Sequence, residues 1–275
     1  MSRCIVILSF LVFMISSIAV GNLASEPSGM EVGLRYGGGE RIPGRFDGDL
    51  KQFSSTISPL TASDVALGGG RSTNLYEGFF RFLLDSRSRI GFVIGRNDWQ
   101  ILQLTEVTSD YYYTKLSSEI YSYHILGMYY FNIPVFRNWE WESGLGGGFT
   151  SADWNVRGFS VGGGLPPDSQ YFNQRGRLRG SGLTYRAETA INHRLYENTF
   201  FQIGLGYHYI AIDKFSGNYN GETSSFYIRA DGKVGVLDDT RVIDATVSTA
   251  QTFRRLDMNS GSWVLYFSVF QRFLD

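Results

Sequence analysis

The sequence predicts an all-β fold, a transmembrane antiparallel up-and-down β-barrel of ten strands with long external loops. Ten segments alternate between apolar and polar residues with a period of two, which is the pattern of strands with two different faces. The connections between these segments alternate between short and long. Aromatic residues make up 16% of the chain and glycine occurs 33 times, a composition that suits strands, interfaces and turns.

The N-terminal segment has the features of a secretory signal peptide. Arg3 precedes an apolar run over residues 5–20, and small residues that fit a cleavage site follow it at once. A membrane anchor is the alternative, although the run is barely long enough to span a bilayer. We therefore expect export, removal of residues 1–21, and a barrel formed by residues 22–275. Cys4 is the single cysteine and would leave with the signal, so we expect neither disulfides nor a cysteine-bound metal.

Each predicted strand has one apolar face and one mixed face. In the last strand Trp263, Leu265 and Phe267 share the apolar face, while Ser262 and Ser268 lie on the other. The predicted strands cover residues 30–37, 76–84, 90–95, 121–131, 139–149, 183–192, 201–209, 226–234, 243–249 and 262–275. A barrel of eight strands is the alternative, if residues 222–252 form an extension of the last external loop.

The composition of the two faces favours a membrane barrel over a soluble sandwich. The apolar faces are rich in Tyr, Trp and Phe near the segment ends, and the other faces carry charges of both signs beside glycines. A membrane barrel turns its apolar face to lipid, has aromatic girdles at both interfaces and encloses its polar face. Short connections are predicted near 85–87, 134–138, 196–199 and 236–240, and long ones near 38–73, 97–118, 150–180, 214–222 and 254–261.

Charged residues on the mixed faces form the first candidate site, a charge network in the lumen. A barrel of eight to ten strands is narrow, so enclosed charges must pair or be hydrated. The interpretation is a structural core of ion pairs that fills the barrel, and a narrow charge-lined channel is the alternative. The predicted network consists of Glu31, Arg35, Glu77, Arg81, Glu140, Glu142, Arg186, Glu188, Arg229, Asp231, Lys233, Asp244 and Arg272.

The histidines suggest hydrogen bonding rather than catalysis. His124 and His208 have inward parity and His193 has outward parity, on separate strands without the spacing of a metal site. We therefore predict no metal, no cofactor and no catalytic residue. The net charge of −1 gives no indication of a nucleic-acid partner.

The second candidate site is a surface on the predicted loop 150–180. Aromatic residues beside arginines are typical of binding surfaces, and contact with lipopolysaccharide phosphates is the simpler alternative to a specific extracellular ligand. This candidate loop surface consists of Trp154, Arg157, Phe159, Tyr171, Phe172, Arg175, Arg177 and Arg179.

The whole mature chain resembles bacterial outer-membrane β-barrel proteins of the small, monomeric class. The resemblance rests on the signal peptide, the strand rhythm and the last strand, where Leu265, Phe267, Val269 and Phe273 match the class pattern and Gln271 departs from it. It implies a Gram-negative-type outer membrane, contact with outer-membrane lipid and lipopolysaccharide, and recognition of the last strand by the barrel assembly machinery.

The functions of this class provide three expectations. The first is a structural or interaction role with surface-exposed loops, and the second is a porin-like narrow channel for small solutes or ions. The third is an outer-membrane hydrolase, omptin-like or lipid A-modifying. Omptin-like proteases place paired acids and an Asp–His couple at the rim, which Asp98, Asp110 and Asp213 do not reproduce. The His-x-Ser pair of lipid A deacylases is absent as well.

Overall fold

The computed structural model describes residues 29–42, 44, 46, 71–109, 112–162, 170–229, 234–238, 253–255 and 257–274. Their strands are β1 (Gly29–Arg41), β2 (Ser72–Leu83), β3 (Ser88–Ser109), β4 (Tyr112–Phe136), β5 (Trp139–Gly162), β6 (Gln170–Arg194), β7 (Thr199–Ile212), β8 (Ser216–Tyr219), β9 (Glu222–Arg229), β10 (Val234–Asp238), β11 (Phe253–Arg255) and β12 (Met258–Leu274). No helix in this part of the chain has the length and apolar character of a membrane span.

Eight of the strands close into an antiparallel barrel. Strands β1 to β7 pair in chain order, and β12 lies between β7 and β1. The pairing of β12 with β7 runs from Met258 opposite Ile212 to Gln271 opposite Thr199. Because β12 has neighbours on both sides, the sheet closes without room for two further strands. The prediction of ten strands is therefore wrong, and the alternative of eight fits.

Residues between β7 and β12 extend the sheet beyond the barrel. Strand β8 pairs with the outer part of β6 at Gly176–Arg179, and β9 pairs with β8, β10 and β11. The predicted strand 226–234 therefore lies in this extension, and the predicted short connection at 236–240 begins within β10. The predicted strand 243–249 lies outside the described residues.

Strands β3 to β6 are much longer than the others. They have 22 to 25 residues, against 12 to 14 in β1, β2 and β7. The predicted long loops 97–118 and 150–180 are largely continuous strand, because β3, β4, β5 and β6 keep pairing almost to their tips. These strands form a wall that projects beyond β1, β2 and β7.

The two ends of the barrel differ. The connections 84–87, 137–138 and 195–198 lie at one end, which we call the turn end, together with the start of β1 and the end of β12. The opposite, loop end holds the projecting wall and the longer connections 42–71 and 163–169, together with the two-residue connection 110–111 between β3 and β4. Short turns on one side and longer connections on the other are the usual arrangement of membrane barrels.

The distribution of side chains is the reverse of that in a soluble protein. Leu34 is 73% exposed on the outside of β1, whereas Glu31 is fully buried inside. Aromatic residues lie on the outside near both ends of the apolar band, with Trp139 and Trp141 toward the turn end and Tyr185 toward the loop end. The outside therefore has the chemistry of a lipid-facing surface, and the core occupies the lumen.

Candidate functional site in the lumen and at the loop end

The structure places nine of the predicted network residues inside the barrel. These are Glu31, Arg35, Glu77, Arg81, Glu140, Glu142, Arg186, Glu188 and Arg272. Arg229 lies on β9, which belongs to the extension rather than to the barrel wall. The prediction that Arg229 lies in the lumen is therefore wrong. Asp231, Lys233 and Asp244 lie outside the described residues.

Near the turn end, three arginines share three glutamates. Arg81 donates from Nη1 to Glu142 Oε2 at 2.9 Å, and Arg89 donates to the same oxygen at 3.0 Å. Arg272 donates to Glu31 at 2.8 Å and, through both terminal nitrogens, to Glu140. These charges are in low-dielectric surroundings, so each ion depends on its partners to offset its lost hydration.

Toward the middle of the lumen a second group of ions forms around Glu77. Arg35 donates from both terminal nitrogens to Glu188, at 2.8 and 2.9 Å, and also reaches Glu77 at 3.3 Å. Arg186 donates to both oxygens of Glu77, and His124 Nε2 lies 2.6 Å from Oε1 of the same carboxylate. Since two-pronged contacts of arginine with carboxylate are among the stronger charge-assisted hydrogen bonds, this group fixes side chains from several strands.

Two glycines create the space that the arginines need. A Cβ at Gly144 would lie 2.7 Å from the ring of Tyr130, and one at Gly204 would overlap the ring of Tyr266. The Arg81 guanidinium lies 4.0 Å from the centre of the Tyr130 ring, and that of Arg35 lies 3.9 Å from the Tyr266 ring. Each glycine thus leaves room for an aromatic ring, and the ring stabilises the neighbouring guanidinium through a cation–π interaction.

His208 has a hydrogen-bonding role that opposes nucleophilic catalysis. The Asn97 amide nitrogen lies 3.0 Å from Nδ1, and Thr184 Oγ1 lies 2.5 Å from Nε2. With Nδ1 as acceptor, Nε2 carries the proton and donates to Thr184, whose hydroxyl donates to the Tyr209 carbonyl. Thr184 therefore faces a donor and not a general base, and His208 itself is only 1% exposed.

The lumen at the loop end is filled by apolar side chains, which we call the outer plug. Trp154 is at its centre, with Phe46 and Phe215 in edge-on contact at ring-centre distances of 5.7 and 5.2 Å. The outer plug consists of Phe46, Trp99, Ile120, Ala152, Trp154, Val156, Leu178, Ile210, Ile212, Phe215, Tyr219 and Met258. It lies beyond the ion pairs, between them and the loop end.

The candidate loop surface divides between the two sides of the wall. Trp154 was predicted on an exposed loop and is instead fully buried, because β5 continues as strand and its parity turns this residue inward. Arg157 on β5 and Arg175, Arg177 and Arg179 on β6 are exposed on the outside. Strands β5 and β6 also include Phe159, Tyr171 and Phe172, whose side chains are outside the described part of the structure.

Sequence reasoning missed several members of the lumen network. Arg89 was not predicted, although it lies two residues before the inward-facing Gly91 and therefore has the same parity on β3. Gln202 and Asn192 had inward parity but no charge, and both donate to Glu142. Parity is thus the signal for an enclosed residue, whether or not it is charged.

The other sequence-based candidates lie in surroundings that indicate packing rather than a metal site. His193 packs its ring 4.2 Å from that of Trp139 near the turn end, in agreement with its outward parity. No group of three or more His, Cys, Asp or Glu side chains among the described residues could hold a metal ion.

Comparison with known proteins gives structural neighbours only. No family model matches the sequence, and no curated protein is significantly similar to it. The attachment invasion locus protein Ail of Yersinia pestis, solved with the heparin analogue sucrose octasulfate, is 12% identical, with a TM-score of 0.37 over 90% of this chain and 100% of its own.

Two other structural neighbours have similarly low sequence identities and TM-scores. Neisserial surface protein A is 10% identical, with a TM-score of 0.38 over 88% of this chain and 96% of its own. The outer membrane protein OprG of Pseudomonas aeruginosa is 11% identical, with a TM-score of 0.40 over 90% and 98%. At these identities and scores, no neighbour's ligand or activity carries over to this chain. The protein is a closed antiparallel β-barrel, and these three structural neighbours are small outer-membrane β-barrels.

Proposed function

We propose that this protein is an exported barrel of the bacterial outer membrane with a closed lumen and a structural or interaction role at its outer surface. The observation that supports this most directly is the filled lumen. A conduit needs a continuous hydrated path, whereas here side chains from opposite strands meet across the barrel.

Two successive layers support a closed lumen. In the first, five arginines and five glutamates with buried or half-buried side chains pair with one another, namely Arg35, Arg81, Arg89, Arg186, Arg272, Glu31, Glu77, Glu140, Glu142 and Glu188. In the second, the outer plug removes water from the loop end, with Trp99 and Trp154 both less than 3% exposed. An ion would have to break buried pairs and then cross an apolar layer to pass.

Conductance of the purified full mature chain in planar lipid bilayers tests this proposal. We expect no steady single-channel current under conditions in which a porin gives one. The variant Trp99→Ala thins the outer plug without a change in the ion pairs, so it should not conduct either, and vesicle flotation verifies that each protein has inserted. A steady current from the wild-type protein that changes in Arg186→Ala would refute the closed lumen.

A narrow channel is the second candidate function, because some enclosed polar atoms have no protein partner. The Nε and Nη2 atoms of Arg81 and the hydroxyl oxygens of Tyr130 and Tyr266 are buried without a hydrogen-bonding side chain or backbone group among the described residues. Buried polar groups of this kind normally bind water, so the network has sites for hydration. The same bilayer recording separates isolated waters from a connected, conducting path.

A further inference from the structure

The outside of the β5–β6 hairpin carries a second charged feature, which we call the arginine face: Arg157, Arg175, Arg177 and Arg179. We propose that the arginine face binds phosphate groups on the saccharide headgroups of outer-leaflet glycolipid. The inference rests on the proposed membrane location, and it names a partner for the proposed interaction role.

Among the described residues, the charges of this face are balanced only in part. In the register of β5 and β6, Asp153 lies opposite Arg179 and Arg157 lies opposite Arg175. Asp153 accepts from Arg179 at 2.7 Å and from Arg177 at 3.5 Å. Among the side chains that the structure describes, no acidic group pairs with Arg157 or Arg175. Like charges directly opposite on neighbouring strands repel each other, and an anion between them would remove this repulsion.

The height of the face matches the headgroup layer. On the outside of β5, Phe149 is 66% exposed and is the last large apolar residue before the polar stretch that contains Asp153 and Arg157. With a rise of about 3.3 Å per residue and a strand tilt of about 40°, Asp153 lies roughly 10 Å and Arg157 roughly 20 Å farther from the membrane centre than Phe149. This span begins where hydrocarbon ends.

The orientation of the face favours lipid over a soluble polyanion. The arginines lie on the same side of the wall as the apolar band, so they point sideways along the membrane rather than upward from the loop tips. A neighbouring lipid reaches such a face without leaving the leaflet, whereas a soluble polymer must enter the headgroup layer. Guanidinium groups are well suited to phosphate because they donate two parallel hydrogen bonds.

Lipopolysaccharide binding to the full mature chain in lipid nanodiscs tests the inference. The double variant Arg157→Gln/Arg175→Gln should bind about 30-fold more weakly, since each basic residue near an anionic surface contributes about fivefold. Enzymatically dephosphorylated lipopolysaccharide should bind the wild-type protein more weakly by at least a similar factor, and dephosphorylation should weaken binding to the variant much less, because only Arg177 and Arg179 remain on the face.

Two single variants provide matched controls. Arg96→Gln removes an outward arginine that pairs with Asp98 on β3, and it should leave binding within about twofold of the wild-type value, because an exposed ion pair contributes little. Asp153→Asn removes the acid that pairs with Arg177 and Arg179 and should strengthen binding. Circular dichroism melts identify any variant that fails to fold, and the gain expected for Asp153→Asn cannot come from misfolding.

Two competition experiments distinguish lipid-bound phosphate from a soluble anion. Inorganic pyrophosphate and soluble heparin are added as competitors, and we expect neither to displace the lipid at equal phosphate or sulfate concentration. Displacement by heparin that depends on Arg157 and Arg175 would reassign the face to a soluble polyanion. Equal lipid binding by the wild-type protein and the double variant would overturn the inference. A conducting lumen would refute the proposed closed lumen but would leave the lipid-binding result standing, so the two failures are distinguishable.

Discussion

Glu77 illustrates how an enclosed charge is stabilised in this barrel. Its carboxylate accepts from Arg35, Arg186 and His124, and it is 5% exposed. Removing such an ion from water costs several kcal/mol, which three donors with good geometry offset. Arg35 also pairs with Glu188 at 2.8 and 2.9 Å, whereas the other carboxylate near Arg186 among the described residues is Glu188, at 3.8 Å. Of the two arginines, Arg186 therefore depends more strongly on Glu77.

We predict that Glu77→Gln destabilises the barrel by about 3–5 kcal/mol, because it leaves the buried Arg186 without its main counterion. The measurement is equilibrium unfolding by urea in detergent micelles. Asp98→Asn is the matched control, since it removes an acid from an outward ion pair with Arg96 and should cost less than about 1 kcal/mol. Equal losses in the two variants would contradict the role assigned to the lumen network.

At the scale of elements, the turn between β2 and β3 shows how a local sequence sets the end of a hairpin. Asp85 Oδ1 accepts from the backbone N–H of Arg87 at 2.6 Å and of Ser88 at 2.7 Å. A short acidic side chain that binds the backbone two and three residues on is typical of turns. Partial burial alone would raise the pKa of Asp85, but the hydrogen bonds from Arg87 and Ser88 lower it below its usual value.

This lowered pKa predicts a pH-dependent contribution from the turn. A carboxylate with a depressed folded pKa stabilises the protein above its unfolded pKa of about 3.9, and the contribution disappears as the pH falls through the folded value. Asp85→Ala should therefore lose about 1 kcal/mol at pH 7 and approach the wild-type stability in strong acid. The free energy of unfolding of both proteins is measured at intervals of about one pH unit, from about pH 2 to about pH 7, and the difference between the two proteins is followed across this range. A constant difference across this range would show that the charge of Asp85 is unimportant.

At the scale of the whole molecule, closure by β12 separates the barrel from the extension. Strand β12 pairs with β7 on one side and with β1 on the other, so each barrel strand has two neighbours. The extension contacts the barrel through β8 on the outer part of β6. A closed sheet is the condition for strands to cross lipid, and the extension contributes nothing to that closure.

Replacing residues 222–255 by a short Gly/Ser linker should therefore leave a folded barrel. We expect the variant to insert into lipid vesicles and to keep a protease-resistant core in detergent that unfolds within a few °C of the wild-type Tm, because a stability change of 1 kcal/mol or less moves Tm by only about 2–4 °C at this size. Vesicle flotation and thermal melts are the measurements. Loss of insertion would instead indicate that two strands of a ten-strand barrel had been removed.

The two-residue period by itself predicted which face of most strands is enclosed. Parity is a local property, because successive side chains of any strand point to opposite sides. Glu31, Glu77 and Arg186 were thus placed inside the barrel from the sequence, and Arg89 followed the same parity although it was not predicted.

Only the tertiary structure decided how many strands close the barrel and which ions pair. Residues 226–234 alternate as well as any barrel strand, but their place depends on which sheet edge remains open once β12 has paired with β7 and β1. Likewise Glu188 meets Arg35 across the lumen over 153 positions of sequence, through the stagger of the closed strands. Edges and cross-lumen distances belong to the whole sheet, whereas alternation belongs to each strand, and this is why the sequence determined the faces and the fold determined the partners.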